Sequence, residues 1–292
     1  VQGVADNPVL ITGLIMIIAG IAFKLSLVPF HIWTPDVYEG APVPVTAYLA
    51  TVSKAAMLAV TLRLLLISDA YQFEALLLVL TVIAAASMLL GNLLALLQSN
   101  VKRLLAYSSI AHMGYLLIVI IAGASIPGML TVESMGYYIV AYFIMSIAGF
   151  AVISAISNSG KELDLVSDYQ GLFWRNPWLS AVMIVVFLSL AGIPLTAGFM
   201  GKFYVFTNGV EGSLWFLLTL LIIGSAIGLY YYLRLIYIML QEPVQALKKD
   251  PAANAIPFGT HAVLASMTAI TIYLGVYPTP MINILQSLAA AF

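Results

Sequence analysis

The sequence predicts an all-α integral membrane protein of about eight transmembrane helices, and three observations carry that prediction. Hydrophobic residues fill 63% of its 292 positions, with a mean hydropathy of +1.07. Charged residues make up 8%, against roughly a quarter in a soluble domain that must cover its surface. Apolar runs of about 20 residues, enough to cross a hydrocarbon core at about 1.5 Å per residue, recur at 9–30, 45–67, 75–97, 103–124, 135–157, 178–207, 213–240 and 256–277. A transmembrane β-barrel would alternate in segments of about ten, whereas these runs are Leu-, Ala- and Ile-rich on every face.

Each run has its own character. The first carries Lys24 in its second half and then LSLVPF, where Pro29 removes a ladder hydrogen bond and predicts a break. A loop is expected at 31–44. The second run holds Lys54 near its middle and Arg63 close to its end. The fourth contains AYSSIAHMGYLL, a hydroxyl-rich patch in which Tyr107, Ser108, Ser109 and Tyr115 surround His112. Between the fifth and sixth runs, Leu163, Val166, Tyr169 and Phe173 recur at helical spacing within 160–177. They predict a short amphipathic helix at the interface, either a surface connector or a docking site for a partner subunit. In the sixth run Gly192, Pro194, Gly198 and Gly201 permit non-helical backbone just ahead of Lys202. The seventh run ends near Arg234, and His31 and His261 fall at span ends, where interfacial roles are expected.

Threading the spans alternately through the membrane sorts the loop charges. Lys102, Arg103, Lys161, Arg175, Lys248 and Lys249 fall on one side; Asp6, Asp69, Glu74, Glu133 and Glu211 fall on the other, with no Lys or Arg. By the positive-inside rule the first side is cytoplasmic and both chain ends lie outside. The chain opens VQGVADNPV, without an initiator Met or a signal peptide, and is expected to start within a longer protein.

The composition excludes several classes of function. A net charge of −1 offers no basic field for nucleic acid. The absence of cysteine excludes disulfides, thiolate metal sites and Fe–S ligation by this chain. No phosphate loop, dinucleotide fingerprint or nucleophile elbow is present, so no site for NADH, flavin or haem is expected. No two histidines have a chelating spacing.

The chemistry lies in the cations buried in the spans. Each costs about 2.5 to 3.5 kcal/mol at mid-helix, so something must offset it. Arg63 and Arg234 are close enough to span ends to snorkel. Lys54 is too central for that, and Lys24 and Lys202 each neighbour a Pro-interrupted stretch, where freed backbone groups persist only against water or protein. Broken spans with nearby lysines are the pattern of inverted-repeat transporters. Burial disfavours the charged form of an amine, so small rearrangements load and unload a proton on a buried lysine. The bland alternative is a structural cation satisfied by carbonyls or a carboxylate. His112 is suited to pass a proton between two lysines, or else serves helix packing through a hydrogen bond. Every Asp and Glu falls in a loop or at a span end, so no central carboxylate partners the lysines.

Four stretches then carry a family resemblance: FKLSLVPFHIWTPDVYEGAPVPVTAYLATVSKAA (23–56), NVKRLLAYSSIAHMGYLL (100–117), LSLAGIPLTAGFMGKFYVF (188–206) and GSAIGLYYYLRLIY (224–237). In this order they resemble the antiporter-like, proton-translocating membrane subunits of NADH:quinone oxidoreductase, respiratory complex I. DVYEGAP followed by SK points within that family to the subunit N branch, the counterpart of mitochondrial subunit 2. The resemblance implies an antiporter-like fold of fourteen helices with two inverted repeats of five, each holding a broken helix. This chain would supply helices seven to fourteen, truncated at its N-terminus: 1–67 the last two helices of the first repeat, 68–240 the second repeat, 241–292 the final helix and C-terminal tail.

The resemblance also assigns roles. Lys24 matches the broken-helix lysine of the first repeat, Lys54 the connecting lysine, His112 a central linking position, and Lys202 the lysine of the second broken helix. The glutamate paired with the first lysine belongs to a helix this chain lacks. The implied activity is proton translocation through that Lys/His relay, coupled to quinone reduction in other subunits. FMN, Fe–S clusters and quinone belong to the whole complex, and no cofactor belongs to this chain. Implied partners are other membrane-arm subunits, including antiporter-like siblings, and lipid, with NADH and quinone coupled indirectly. The implied location is a bacterial plasma (inner) membrane. Two other readings stay open: a subunit of a cation/proton antiporter, and a passive scaffold of the membrane arm.

Overall fold

The structure, a computed structural model, describes residues 8–68, 70–126, 128–157, 162–242 and 257–289. Asp6, Asp69, Lys161, Lys248, Lys249 and both chain ends, all used in the charge sorting above, lie outside the described residues. Helix is the regular structure throughout: α1 (Pro8–Leu25), α2 (Trp33–Gly40), α3 (Val43–Ala50), α4 (Val52–Ile67), α5 (Glu74–Leu96), α6 (Val101–Ala122), α7 (Gly128–Ile156), α8 (Leu172–Arg175), α9 (Pro177–Ala191), α10 (Ala197–Glu211), α11 (Trp215–Leu240), α12 (Phe258–Val276) and α13 (Thr279–Ala289). Among the described residues the extended pairing is one isolated bridge between Asn100 and Leu165. Six helices are long and apolar enough to cross a membrane, with Ile11–Leu25 and Pro177–Ala191 shorter. Counting α1 with α2 and α9 with α10 as single broken spans, the expected eight crossings are present, those of a multi-pass membrane protein.

Helix α6 is the axis of the bundle. Its span is 94% buried, whereas the other long helices range from 22% to 50%. Close approach by α5 makes this possible. A Cβ on Gly91 would meet Ala111 N at 2.7 Å, and one on Gly114 would meet Met88 Cγ at 2.9 Å, so the two backbones run antiparallel in direct contact. Small residues allow such contact in a bilayer, where lipid tails offer no hydrophobic drive for helices to associate. Helices α2, α7 and α10 pack around the remaining faces of α6.

Both expected breaks are present and share one geometry. Helix α1 stops at Leu25, earlier than the expected residue 30, because Ser26 turns left-handed at φ 63° and Leu27 N–H reaches back to Ala22 O at 2.8 Å. Helix α9 stops at Ala191, where Gly192 turns left-handed at φ 85° and Ile193 N–H reaches Leu188 O at 3.0 Å. This is the Schellman ending, which satisfies the last carbonyls of a helix. Freed amides find side chains: Ser87 Oγ accepts from Val28 N–H and Ser189 Oγ from Gly198 N–H, each at 3.0 Å. The chain beyond the first break is helix α2 rather than the loop expected at 31–44.

Three further features differ from expectation. The run 45–67 is not one helix but is interrupted at Thr51, whose hydroxyl bonds back to Ala47 O at 2.6 Å while its own φ and ψ leave the helical range. Such back-bonding bends helices. The amphipathic helix expected within 160–177 is instead a 3-10 turn (Val166–Tyr169) and the single turn α8, separated by Gly171 at φ 69°. Val166 and Tyr169 are buried as the spacing implied, but Phe173 is exposed and Leu163 half-buried. Finally, the C-terminal tail carries α13, too short to be a span. It lays Leu285 against Gly136, and Gln286 Nε2 donates to Glu133 Oε2 at 3.1 Å.

The segments 31–44, 98–102 and 162–177 meet at one end of the bundle, as the charge sorting predicts for loops sharing a side; most of the fourth, 241–255, lies outside the described residues. Lys102 is buried, pairs with Glu162 and donates to Ala41 O at 3.1 Å; Glu162 also accepts from Val43 N–H at 3.2 Å, holding the start of α3. Arg103 bridges Asp36 at 2.6 Å and Glu39 at 2.7 Å. Among the described residues, Lys102 and Arg103 are therefore matched by carboxylates within the fold rather than left as free loop cations.

Candidate functional site

The Thr51 kink places Lys54 in the first turn of α4, aimed at α6. Lys54 is 1% exposed; its Nζ donates to Ser109 Oγ at 2.7 Å and lies 5.7 Å from the centre of the Tyr38 ring on α2. One turn further along α6, His112 is buried, and its Nδ1 shares a 2.7 Å hydrogen bond with Tyr138 OH on α7. Three tyrosines surround the imidazole, with ring centres at 5.2 Å for Tyr142, 5.6 Å for Tyr115 and 6.0 Å for Tyr138. On the far side, α10 carries Lys202, buried beneath the second break. Its Nζ donates to Ala191 O at 2.8 Å and stands 5.4 Å from the Tyr115 ring. His112 lies within electrostatic reach of both amines.

A polar layer backs this line. Asn92 on α5 donates to Tyr115 OH at 2.9 Å and accepts from Tyr231 OH at 3.1 Å, and the hydroxyls of Ser108 and Tyr232 bond to each other. The hydroxyls of Ser26, Thr34 and Tyr38 are buried without a hydrogen bond, and Tyr38 approaches Ser109. Buried hydroxyls without a protein partner are groups that an ordered water can satisfy where space allows. Among the described residues the salt bridges involve Lys102 and Arg103, and no Asp or Glu is fully buried. The amines of Lys54 and Lys202 therefore meet neutral oxygens and aromatic faces, as the absence of a central carboxylate in the sequence implies.

Of the four sequence-predicted site residues, the structure brings together Lys54, His112 and Lys202. Lys24 stands apart, exposed in the last turn of α1, on a helix whose main packing partner is α4. The two broken spans nevertheless agree on where an amine belongs. Lys24 sits at the C-terminal end of α1 in sequence, and Lys202 reaches back to the C-terminal end of α9, where a helix dipole favours positive charge. Arg63 and Arg234 are exposed, Arg234 donating to Leu96 O at 3.4 Å. Within the hydroxyl patch of α6, Ser108, Ser109 and Tyr115 join the site while Tyr107 stays half-buried outside it. Sequence reasoning missed Tyr38, Asn92, Tyr138, Tyr142 and Tyr231. The spacing of Tyr138, Tyr142 and Ser146, four apart on one helical face, was the available signal.

Comparison with known proteins gives a consistent result. NADH-quinone oxidoreductase subunit N of Methylococcus capsulatus is 51% identical over 280 residues, 95% of this chain and 55% of that protein. The chain thus spans about half the length of the curated relative it matches. A chain of respiratory complex I from Thermus thermophilus with bound aureothin is similar at 34% identity and a TM-score of 0.76, over 90% of this chain and 56% of that one. A chain of the Mrp complex from Dietzia shares the fold, at a TM-score of 0.82 and 18% identity over 98% of this chain and 60% of that one. Residues 2–228 match the family described as NADH:quinone oxidoreductase/Mrp antiporter, TM. With its broken spans and buried amines in place, the chain belongs to that transmembrane family.

Proposed function

We propose that this chain is part of a proton-translocating membrane subunit of an NADH:quinone oxidoreductase, seated in a bacterial plasma membrane beside other membrane-arm subunits. One observation carries the reading: two buried amines, Lys54 and Lys202, flank a buried imidazole, His112, with no carboxylate among the described residues to hold either amine permanently charged. A structural cation would be paired. Here each amine faces groups that hydrogen-bond it when protonated and tolerate it when neutral, the condition for exchanging a proton. His112, bonded at Nδ1 by Tyr138, keeps its other ring nitrogen for transfer. Protons move along Lys54, His112 and Lys202, driven by quinone reduction in subunits that carry the FMN and Fe–S clusters. Lys24 extends this line as the first-repeat lysine, its exposed face covered by helices outside this chain. Residues 1–67 then close the first inverted repeat, 68–240 form the second, and 241–292 form the final helix and tail. The twin Schellman breaks at Ser26 and Gly192 support that division.

The test is proton translocation per electron in proteoliposomes holding the assembled complex with full-length subunit. Lys54→Ala and Lys202→Ala are expected to lower it with assembly intact. An unchanged ratio supports a passive scaffold instead. Sodium-dependent proton exchange without quinone reduction supports a cation/proton antiporter, a reading favoured by the fold shared with the Mrp complex.

A further inference from the structure

A small cavity lies between α6, α7 and α9, walled by Leu105, Ser108, Tyr142, Ser146, Phe150 and Leu190. It leaves about 10 Å³ for the centre of a water molecule. That is close to the minimum for one water, which also needs two to four polar partners. The partners are there. Ser146 and Tyr142 stand one helical turn apart on α7, the Tyr142 hydroxyl lies beside both Ser146 and Ser109, and Ser108 faces in from α6. The other walls are apolar, so a single molecule rather than a file of water fits.

The cavity touches the relay without belonging to it. Ser109 accepts from Lys54, and Tyr142 packs against the His112 ring. Tyr138, which bonds His112, Tyr142 and Ser146 form a row of hydroxyls climbing α7. Leu105 and Ser108 lie on the side of His112 nearer the helix end that carries Lys102 and Arg103. The row therefore runs from the centre of the bundle to the cavity, on the side of His112 nearer that end.

We infer that this cavity holds one water, bound by Tyr142, Ser146 and Ser108, and that it is a side branch of the relay, on the Lys102–Arg103 side of His112, through which Lys54 gains a proton. The inference rests on the relay reading above. An arriving proton binds the water oxygen, and the water gives one of its protons to the Tyr142 oxygen. Tyr142 passes its phenolic proton to Ser109, and Ser109 passes its hydroxyl proton to the lone pair of neutral Lys54. Each oxygen gains one proton and loses one, so one positive charge moves to the amine and water, tyrosine and serine end neutral. Ser146 touches none of the relay amines; it positions the water.

The experiment uses the assembled complex with the full-length subunit. A cryo-EM map fine enough to resolve waters is expected to show one within hydrogen-bonding distance of Ser146 and Tyr142, and a dry cavity overturns the inference. Ser146→Val, which fills the cavity with methyl groups, is expected to lower coupled turnover at least about tenfold and to change its solvent deuterium isotope effect. That loss is smaller than the roughly 100-fold contributed by a positioned acid–base group, because Tyr142 remains. Lys54→Ala in the same assay separates the two ideas. Normal pumping by Lys54→Ala removes the relay itself; normal pumping by Ser146→Val beside an impaired Lys54→Ala removes only the branch. If Ser146→Val does not assemble, Ser146→Ala decides, since an unchanged rate and isotope effect overturn the water's role.

Discussion

Lys202 Nζ donates to the carbonyl oxygen of Ala191 at 2.8 Å, so the amine of one half of a broken span closes the open end of the other. Structure and proposed chemistry share this contact. When Lys202 is charged the dipole of α9 stabilises it, and when it is neutral an N–H still satisfies the carbonyl.

Lys202→Arg therefore separates the two roles. A guanidinium keeps donors for Ala191 O but does not release its proton. The variant is expected to assemble with near-normal thermal stability and to lose coupled proton movement. Lys202→Ala also leaves a buried carbonyl unpaired, costing about 1–3 kcal/mol. Melting of the purified complex alongside proton uptake distinguishes the pair, and normal pumping by Lys202→Arg counts against proton release at this site.

Lys54 has no structural carbonyl to close, and its partner is Ser109 Oγ. Lys54→Ala is expected to lower coupled turnover about tenfold or more, equivalent to about 1.4 kcal/mol of barrier, with little change in melting temperature. Lys54→Arg is expected not to restore it. Equal turnover in all three forms, measured as quinone reduction with and without uncoupler, would show that the amine only fills space.

Tyr138→Phe removes the hydroxyl from His112 Nδ1 and leaves the ring packing. Losing the group that sets the imidazole's tautomer is expected to slow coupled turnover by about threefold to tenfold, below 1.4 kcal/mol. The uncoupled rate should not move. A loss of assembly instead would mark this bond as a packing contact.

Gly91→Ala tests the α5–α6 contact. Its new Cβ would lie 2.7 Å from Ala111 N and 2.9 Å from Tyr107 O, backbone atoms that cannot yield without shifting a helix. Destabilisation of about 1–3 kcal/mol is expected, read as a lower melting temperature of the detergent-solubilised complex. An unshifted melt would show that the two helices separate freely.

Glu162→Ala leaves the buried Lys102 ammonium without its carboxylate and Val43 N–H without an acceptor. A loss of about 1–3 kcal/mol is expected, less than for a fully buried pair because Glu162 is partly exposed. Limited proteolysis of the 31–44 and 158–177 segments should accelerate together if this contact ties them, and independent rates would argue that it does not.

The number of crossings, the two breaks and the enclosure of Lys54 and Lys202 by protein were legible in the amino acids because a bilayer imposes simple demands. A span needs about 20 apolar residues, a proline in it must break a ladder, and a cation within it must be satisfied. Those rules act locally and leave marks in composition. The Thr51 kink left none, since the same hydroxyl bonds back to a carbonyl in straight helices and bent ones. Asn92 and Tyr231 sit in runs that read as ordinary apolar helix, and the spacing of Tyr138 and Tyr142 marks one helical face without saying what it meets, so their convergence on α6 was invisible.

Which face of each helix meets α6 was a question for packing alone. Lys24 and Lys54 look equally buried in a hydropathy profile, yet Lys24 is exposed on α1 and Lys54 is enclosed against Ser109. A run that is apolar all round carries no periodicity to orient it, so the choice falls to close contacts such as Gly91 with Ala111. Residue chemistry dictated that amines would lie at membrane depth, and the three-dimensional arrangement selected those that share a polar corridor, because proximity depends on helix rotation and approach that apolar sequence does not encode.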